Sequence, residues 1–167
     1  DQEVGGSIPL SCTKKMSKKK KLKPELASGF RDRRGNELIL KDRLIETIKR
    51  NFQLYGFEPL ETPGFEISEN IGKFIPDEGR PMSGVFGFKD QKDWISLRYD
   101  LTAPLARYVS ENFDNLSKPF KRYQVGSVWR NEKPGPGRYR EFTQIDADTV
   151  GTKNVSADAD MCVLLAD

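Results

Sequence analysis

Between residues 42 and 55 apolar side chains recur at Leu44, Ile45, Ile48, Phe52 and Tyr55. That spacing lines one face of an α-helix, and Gly56 suits the left-handed position that ends it. The period then shortens. Residues 57–63 (FEPLETP) read as a strand whose prolines confine it to a sheet edge or a terminus. Ser68 to Met82 is a Gly- and Pro-punctuated connector without a clear period. Val85, Phe86 and Phe88 predict a strand, Asp90 to Asp93 a turn, and Trp94 to Thr102 the returning strand. In that return Ile95, Leu97 and Tyr99 face one way, and Ser96, Arg98, Asp100 and Thr102 the other. This alternation predicts an antiparallel sheet with one polar face. Ala103 to Asn112 reads as a helix with Pro104 in its first turn and a stripe of Leu105, Tyr108 and Val109. Near the end of the chain, Ser156 is placed to cap a helix containing Met161, Val163, Leu164 and Leu165.

The strongest local pattern is a pair of strand-like runs, KRYQVGSVWR (121–130) and RYREFTQIDADTV (138–150). Asn131 to Gly137, with two prolines and two glycines, separates them. The runs predict an antiparallel hairpin with Arg130 and Arg138 facing each other across its mouth. On the second run Arg140, Phe142, Gln144, Asp146 and Asp148 share a face. An aromatic plate, an amide and carboxylates, with guanidinium groups nearby, make a bed for a molecule carrying a flat ring, phosphates and an amine. The same parity also fits a half-exposed hairpin with a solvated charged face.

Composition narrows the chemistry. The 167 residues include no histidine, which removes every Ser-His-Asp, Cys-His and His-containing zinc arrangement. The two cysteines, Cys12 and Cys162, are far apart and read as unpaired thiols of a reducing compartment. Chemistry must therefore run on carboxylates, arginines, lysines and a bound metal. No apolar run reaches transmembrane length, and the mean hydropathy of −0.66 argues against a membrane protein. A net charge of +3 is too small to establish a nucleic-acid partner. Lys14 to Lys23 is a lysine-rich run, read either as a solvated tail or as a salt-sensitive contact for RNA phosphates.

WRNEKPGPGRYREFTQIDAD (129–148) resembles the second signature motif of class II aminoacyl-tRNA synthetases. Its extended form GRYREFTQIDAD, with LRYDLTAPLARY upstream (97–108), is similar to histidyl-tRNA synthetases, and the similarity runs roughly from Met16 to Asp167. The resemblance implies an α/β fold of the α+β type, a truncated, mainly antiparallel sheet flanked by helices. It implies a disordered basic tail (1–23) followed by the N-terminal part of a catalytic domain (24–167). The 42–55 helix would form a homodimer interface, with Pro63 as the signature proline, and the 120–150 hairpin would bind ATP.

It also implies roles. Arg130 would hold the ATP α-phosphate and the substrate carboxylate as the catalytic residue, and Arg138 would reach the γ-phosphate. Glu132 would accept from the adenine amine, and Phe142 would stack beneath the ring. Asp100 and Thr102, on the polar face of their strand, would hold the α-amino group of histidine, with Gln144 and Asp148 on the other side of that pocket. Mg2+ would bridge the phosphates, though the sequence singles out no metal ligand among its residues. The expected activity is ATP-dependent formation of histidyl-adenylate and transfer to tRNA(His) in the cytoplasm. The family's third motif and anticodon-binding domain would lie beyond residue 167, so the segment alone is expected to be weakly active or inactive. The alternatives are the non-catalytic, histidine-sensing regulatory subunit of ATP phosphoribosyltransferase, and a basic RNA-binding module built on the lysine run.

Overall fold

The computed structural model describes residues 23–71 and 84–167. The expected tail, the lysine run up to Leu22, Cys12 and most of the connector lie outside the described residues. The elements are α1 (Asn36–Leu54), β1 (Glu58–Pro59), β2 (Phe65–Ile67), a 3-10 turn (Ser68–Ile71), β3 (Gly87–Asp90), β4 (Asp93–Leu97), α2 (Thr102–Asn112), β5 (Phe120–Trp129), β6 (Glu141–Val150) and α3 (Ser156–Ala166). They build two three-stranded sheets, ordered β1-β5-β6 and β2-β4-β3, and only the β1–β5 pairing is parallel. The proline-bearing β1 is an edge strand, as its composition requires.

Helix α1 starts six residues before the periodic stretch, directly after Gly35. Its end is a two-bond Schellman closure. The Gly56 amide, at φ +77°, donates to the Gln53 carbonyl, and the Phe57 amide donates to that of Phe52. The Phe52 and Phe57 rings, 6.1 Å apart, add the hydrophobic contact that accompanies this motif. Those two rings, Tyr123 and Leu164 form a buried cluster, with Ile48, Tyr55, Ile145, Ala147 and Met161 packed around it. One face of the β5–β6 hairpin is thereby pinned between the end of α1 and α3. Leu44, on the periodic apolar face, is 60% exposed, and Ile39 and Leu40 are exposed as well.

Two expectations are corrected, and the polar face of the returning stretch is located. The strand leading to Asp100 stops at Leu97, so Asp100 lies in a loop and Thr102 opens α2 rather than ending a strand. The cause is local: Asp100 Oδ1 accepts the amides of Thr102 and Ala103 at 3.0 and 2.9 Å, satisfying helix-end donors that a continuing strand would not offer. Second, the polar side chains Ser96 and Arg98 of the returning stretch are buried. Ser96 Oγ meets Ser68 Oγ at 2.6 Å, and the buried Arg98 donates to the Ser127 and Thr62 carbonyls at 2.8 and 2.7 Å. Third, Ser156 is the first residue of α3 and not its cap; Asn154 Oδ1 accepts the Ser156 amide at 3.0 Å.

Candidate active site

The hairpin has ten residues on each strand, with register running from Phe120 opposite Val150 to Trp129 opposite Glu141; β6 starts at Glu141, three residues later than the alternation suggests. Its mouth differs from expectation. The Arg130 amide donates to the Arg140 carbonyl at 2.8 Å, so Arg130 faces Arg140. Arg138 sits further out, where the Gly135 amide donates to its carbonyl and its own amide returns to that of Gly135. The two prolines and glycines allow this small turn inside the loop.

The entry segment before α1 docks on the loop. The Arg140 amide donates to the Gly29 carbonyl at 2.8 Å. The Arg140 side chain donates from Nε to the Glu132 carbonyl at 2.9 Å and from Nη1 to the Ser28 carbonyl at 3.3 Å. Arg140 thus leaves the ligand-facing set that strand parity assigns it and acts as a structural clamp. Gly29, at φ +84°, lies so close that an added Cβ would sit 2.8 Å from Arg140 Cγ.

Arg130, Glu132, Gly137, Arg138, Tyr139 and Phe142 line one recess of about 290 Å³. All four residues expected to touch ATP are in that set. The Arg130 guanidinium carbon lies 4.5 Å from the Tyr99 ring centre and 5.0 Å from that of Phe142, within cation–π range of both. Glu132 is held at both oxygens. Oε1 accepts the Tyr99 hydroxyl at 2.5 Å, and Oε2 is in close contact with Arg138 Nη2. The Tyr99 hydrogen bond, followed by Arg138, pulls the Glu132 carboxyl below its usual range, so it stays an anionic acceptor. Among the described residues no three His, Cys, Asp or Glu side chains converge as a metal-ligand set.

The residues expected around the amino acid form a second group along the same strand. Gln144 Nε2 contacts both oxygens of Asp146, at 3.0 and 2.9 Å. Asp148 Oδ2 lies 2.6 Å from Nη2 of the fully buried Arg122, directly opposite it in register. Burial raises the Asp148 carboxyl above its ordinary value; Arg122 opposes that shift and Asp146 adds to it. Asp100 is joined to this group through its neighbour, because Arg122 Nη2 also donates to the Leu101 carbonyl at 3.2 Å.

Sequence reading left two of these contributors without a role. Tyr99 shares an apolar face with Ile95 and Leu97 by parity, and nothing local forecasts that its hydroxyl meets Glu132. Arg122 is legible once the closing pair is known: counting back from Arg130 opposite Arg140 places it opposite Asp148.

Two small, mainly antiparallel sheets, with a long hairpin carrying two arginines, a clamped glutamate and an aromatic around one recess, make up the fold of a class II aminoacyl-tRNA synthetase catalytic domain. Solved structures share it. Histidyl-tRNA synthetase from Nostoc sp. PCC 7120 superposes with a TM-score of 0.73 at 32% identity, covering 86% of this chain and 33% of its own. An ATP phosphoribosyltransferase regulatory subunit/histidyl-tRNA synthetase from Bacillus halodurans gives 0.72 at 27% identity, covering 88% and 38%.

The chain belongs to the histidyl-tRNA synthetase family, whose model matches residues 29–167. The histidine–tRNA ligase of Rhodopseudomonas palustris (strain BisB18) is 56% identical over 154 residues, 92% of this chain. The chain spans 30% of that relative's length.

Proposed function

We propose that this chain is the ATP- and histidine-binding portion of a histidine–tRNA ligase, which joins histidine to ATP as histidyl-adenylate and passes the histidyl group to tRNA(His). The observation that carries this reading is the recess enclosed by Arg130, Glu132, Arg138 and Phe142. In the first step the histidine carboxylate attacks the α-phosphorus of ATP, the bond to the β-phosphate oxygen breaks, and pyrophosphate leaves. Two anions must meet, so fixed positive charge at the reacting phosphorus lowers the barrier.

Arg130 supplies that charge, with a planar fork of N–H donors matched to phosphate and carboxylate oxygens. Its packing against Tyr99 and Phe142 sets its direction before substrate arrives. Arg138 takes the γ-phosphate, exchanging its contact with Glu132 for one to the nucleotide. Glu132, kept anionic, accepts from the adenine amine, and Phe142 stacks on the base for about 1–3 kcal/mol. Mg2+, when bound with ATP, would supply further charge neutralisation to the phosphates; no described set of His, Cys, Asp or Glu side chains converges to hold it. Asp100 keeps Oδ2 free of the amides on its Oδ1 and is suited to the cationic α-amino group beside Thr102. Gln144 and Asp148 bound the imidazole side.

Exposed Ile39, Leu40 and Leu44 on α1 offer an apolar stripe to a second copy, which favours a homodimer. Cytoplasmic residence follows from the proposed role in translation. A regulatory subunit that only senses histidine has no need of the clamped Glu132 and its arginines, so the recess favours the ligase. Histidine-dependent ATP–pyrophosphate exchange by the complete reading frame, lost in Arg130→Ala, tests the proposal. Histidine binding without exchange would move the assignment to the regulator, and exchange with a different amino acid would overturn the reading of Gln144 and Asp148.

A further inference from the structure

We infer that Arg122 is a positioning residue for histidine recognition, tying the Asp100–Thr102 segment to Asp148 and holding the Asp148 carboxylate where the substrate imidazole meets it. The inference rests on the functional reading above and extends it to a residue that touches no substrate.

The geometry begins with register. Arg122 on β5 and Asp148 on β6 are direct cross-strand partners, so their side chains leave the sheet on the same face, one beside the other. Arg122 is 0% exposed, whereas Asp148 keeps part of its surface. Through Nη2 the one guanidinium reaches both walls of the proposed pocket, the Asp148 carboxylate at 2.6 Å and the Leu101 carbonyl at 3.2 Å. Leu101 is itself fully buried between Asp100 and Thr102. At the Leu101 end the link is fixed by burial, and at the Asp148 end Arg122 holds an ion pair. Its remaining donors, Nε and Nη1, have no hydrogen-bond partner among the described residues.

A buried arginine without an anion is strongly unfavourable, and so is a partly buried carboxylate beside a second one. Asp146 lies on the same face of β6, two residues away, and Lys153 and Asp158 line the recess next to Asp148. Arg122 is the cation in contact with the carboxylate. Removing it leaves Asp148 with burial and Asp146, both of which favour the protonated acid. A protonated Asp148 is a poor acceptor for an imidazole N–H and gives no charge to an imidazolium. Arginine at 122 thus sets both the direction and the ionisation of the group that reads the substrate ring.

The test is steady-state ATP–pyrophosphate exchange by the complete protein, as wild type, Arg122→Met, Arg122→Lys, Asp148→Asn and the Arg122→Met/Asp148→Asn double variant. Arg122→Met is expected to raise the histidine KM by roughly 10- to 100-fold while the ATP KM stays within about twofold, since the recess around Glu132 is untouched. Relative to wild type at each pH, its histidine KM should improve as pH rises and Asp148 ionises. The double variant should lose that pH dependence. Arg122→Lys, which restores the charge, should recover part of the affinity. Should Arg122→Met fail to fold, Arg122→Lys carries the comparison, with a smaller rise confined to histidine. Equal rises in the KM of both substrates, or a histidine KM with the wild-type pH profile, would reduce Arg122 to a structural role and overturn the inference. Absence of histidine-dependent exchange in the wild type would instead strike the functional reading beneath it.

Discussion

Gly29→Ala probes how far the proposed ATP recess depends on the segment that precedes α1. At φ +84° an alanine pays a backbone penalty of about 1–2 kcal/mol. Its methyl would also lie 2.8 and 2.9 Å from Arg140 Cγ and Cδ and 3.1 Å from Pro134 Cβ. Arg140 must then move, and its bonds to the Glu132 and Ser28 carbonyls, at 2.9 and 3.3 Å, are the first losses. Weakening charge-assisted bonds of this kind costs about 1.5–3 kcal/mol. Together these come to about 2.5–5 kcal/mol, and the part from the lost bonds falls on the loop that carries Glu132 and Arg138. Where the loop relieves the strain by shifting, the cost appears as lost nucleotide affinity, roughly 10- to 100-fold in the ATP KM.

Gly56→Ala is the matched control. It has a similar φ, +77°, but no atom within 4 Å of the added methyl, so only the backbone penalty of about 1–2 kcal/mol remains. It sits at the end of α1, away from the recess. Thermal unfolding and pyrophosphate exchange on both variants separate the two costs: both lower Tm, and only Gly29→Ala raises the ATP KM. If Gly29→Ala matches Gly56→Ala in Tm and keeps the wild-type ATP KM, the docking of the entry segment on the loop plays no part in nucleotide binding.

Three further outcomes follow from the same contacts. Tyr99→Phe removes the leading cause of the depressed Glu132 carboxyl. Because a depressed carboxyl keeps its interactions at higher pH and loses them as pH falls through the folded value, the variant should lose ATP affinity at a higher pH than wild type. An ATP KM that tracks the wild-type acid limb would contradict this. Arg98→Leu leaves the Thr62 and Ser127 carbonyls without their buried donor and should cost about 2–4 kcal/mol in denaturant unfolding, whereas a change under about 0.5 kcal/mol would mean that β4 and β5 are held by packing alone. Leu40→Glu with Leu44→Glu charges the exposed α1 stripe; sedimentation of the complete protein should show monomer, and an undisturbed dimer would put the interface elsewhere.

Periodicity sufficed for α1 from residue 42 on, for α2 within one residue and for most of the long hairpin, because α2, the hairpin and the C-terminal end of α1 pack one face on the core and so repeat at their own period. It failed where polar groups do the organising. Alternation puts Ser96 and Arg98 on a polar face without naming their partners, and their hydroxyl and guanidinium are buried because Ser68 and two backbone carbonyls satisfy them. Asp100 looks like a strand residue, yet two amides of α2 claim its carboxylate. Such partners are far away in sequence or belong to the backbone, and neither leaves a period to read.

The candidate site divides along the same line. Arg130, Glu132, Arg138 and Phe142 are legible as a set because one loop and one strand carry them all, so a local motif fixes their spacing. The residues that orient them are not local to the loop: Tyr99 comes from the segment before α2, and Gly29 from the segment before α1. The structure thus adds the supports of a site whose contact residues the motif already supplies. That division predicts how damage will distribute. Changes at Arg130 or Glu132 should strike exchange directly, whereas changes at Tyr99, Gly29 or Arg122 should first alter the pH range and substrate affinities over which exchange proceeds, because they act on where a charge sits and whether it is ionised.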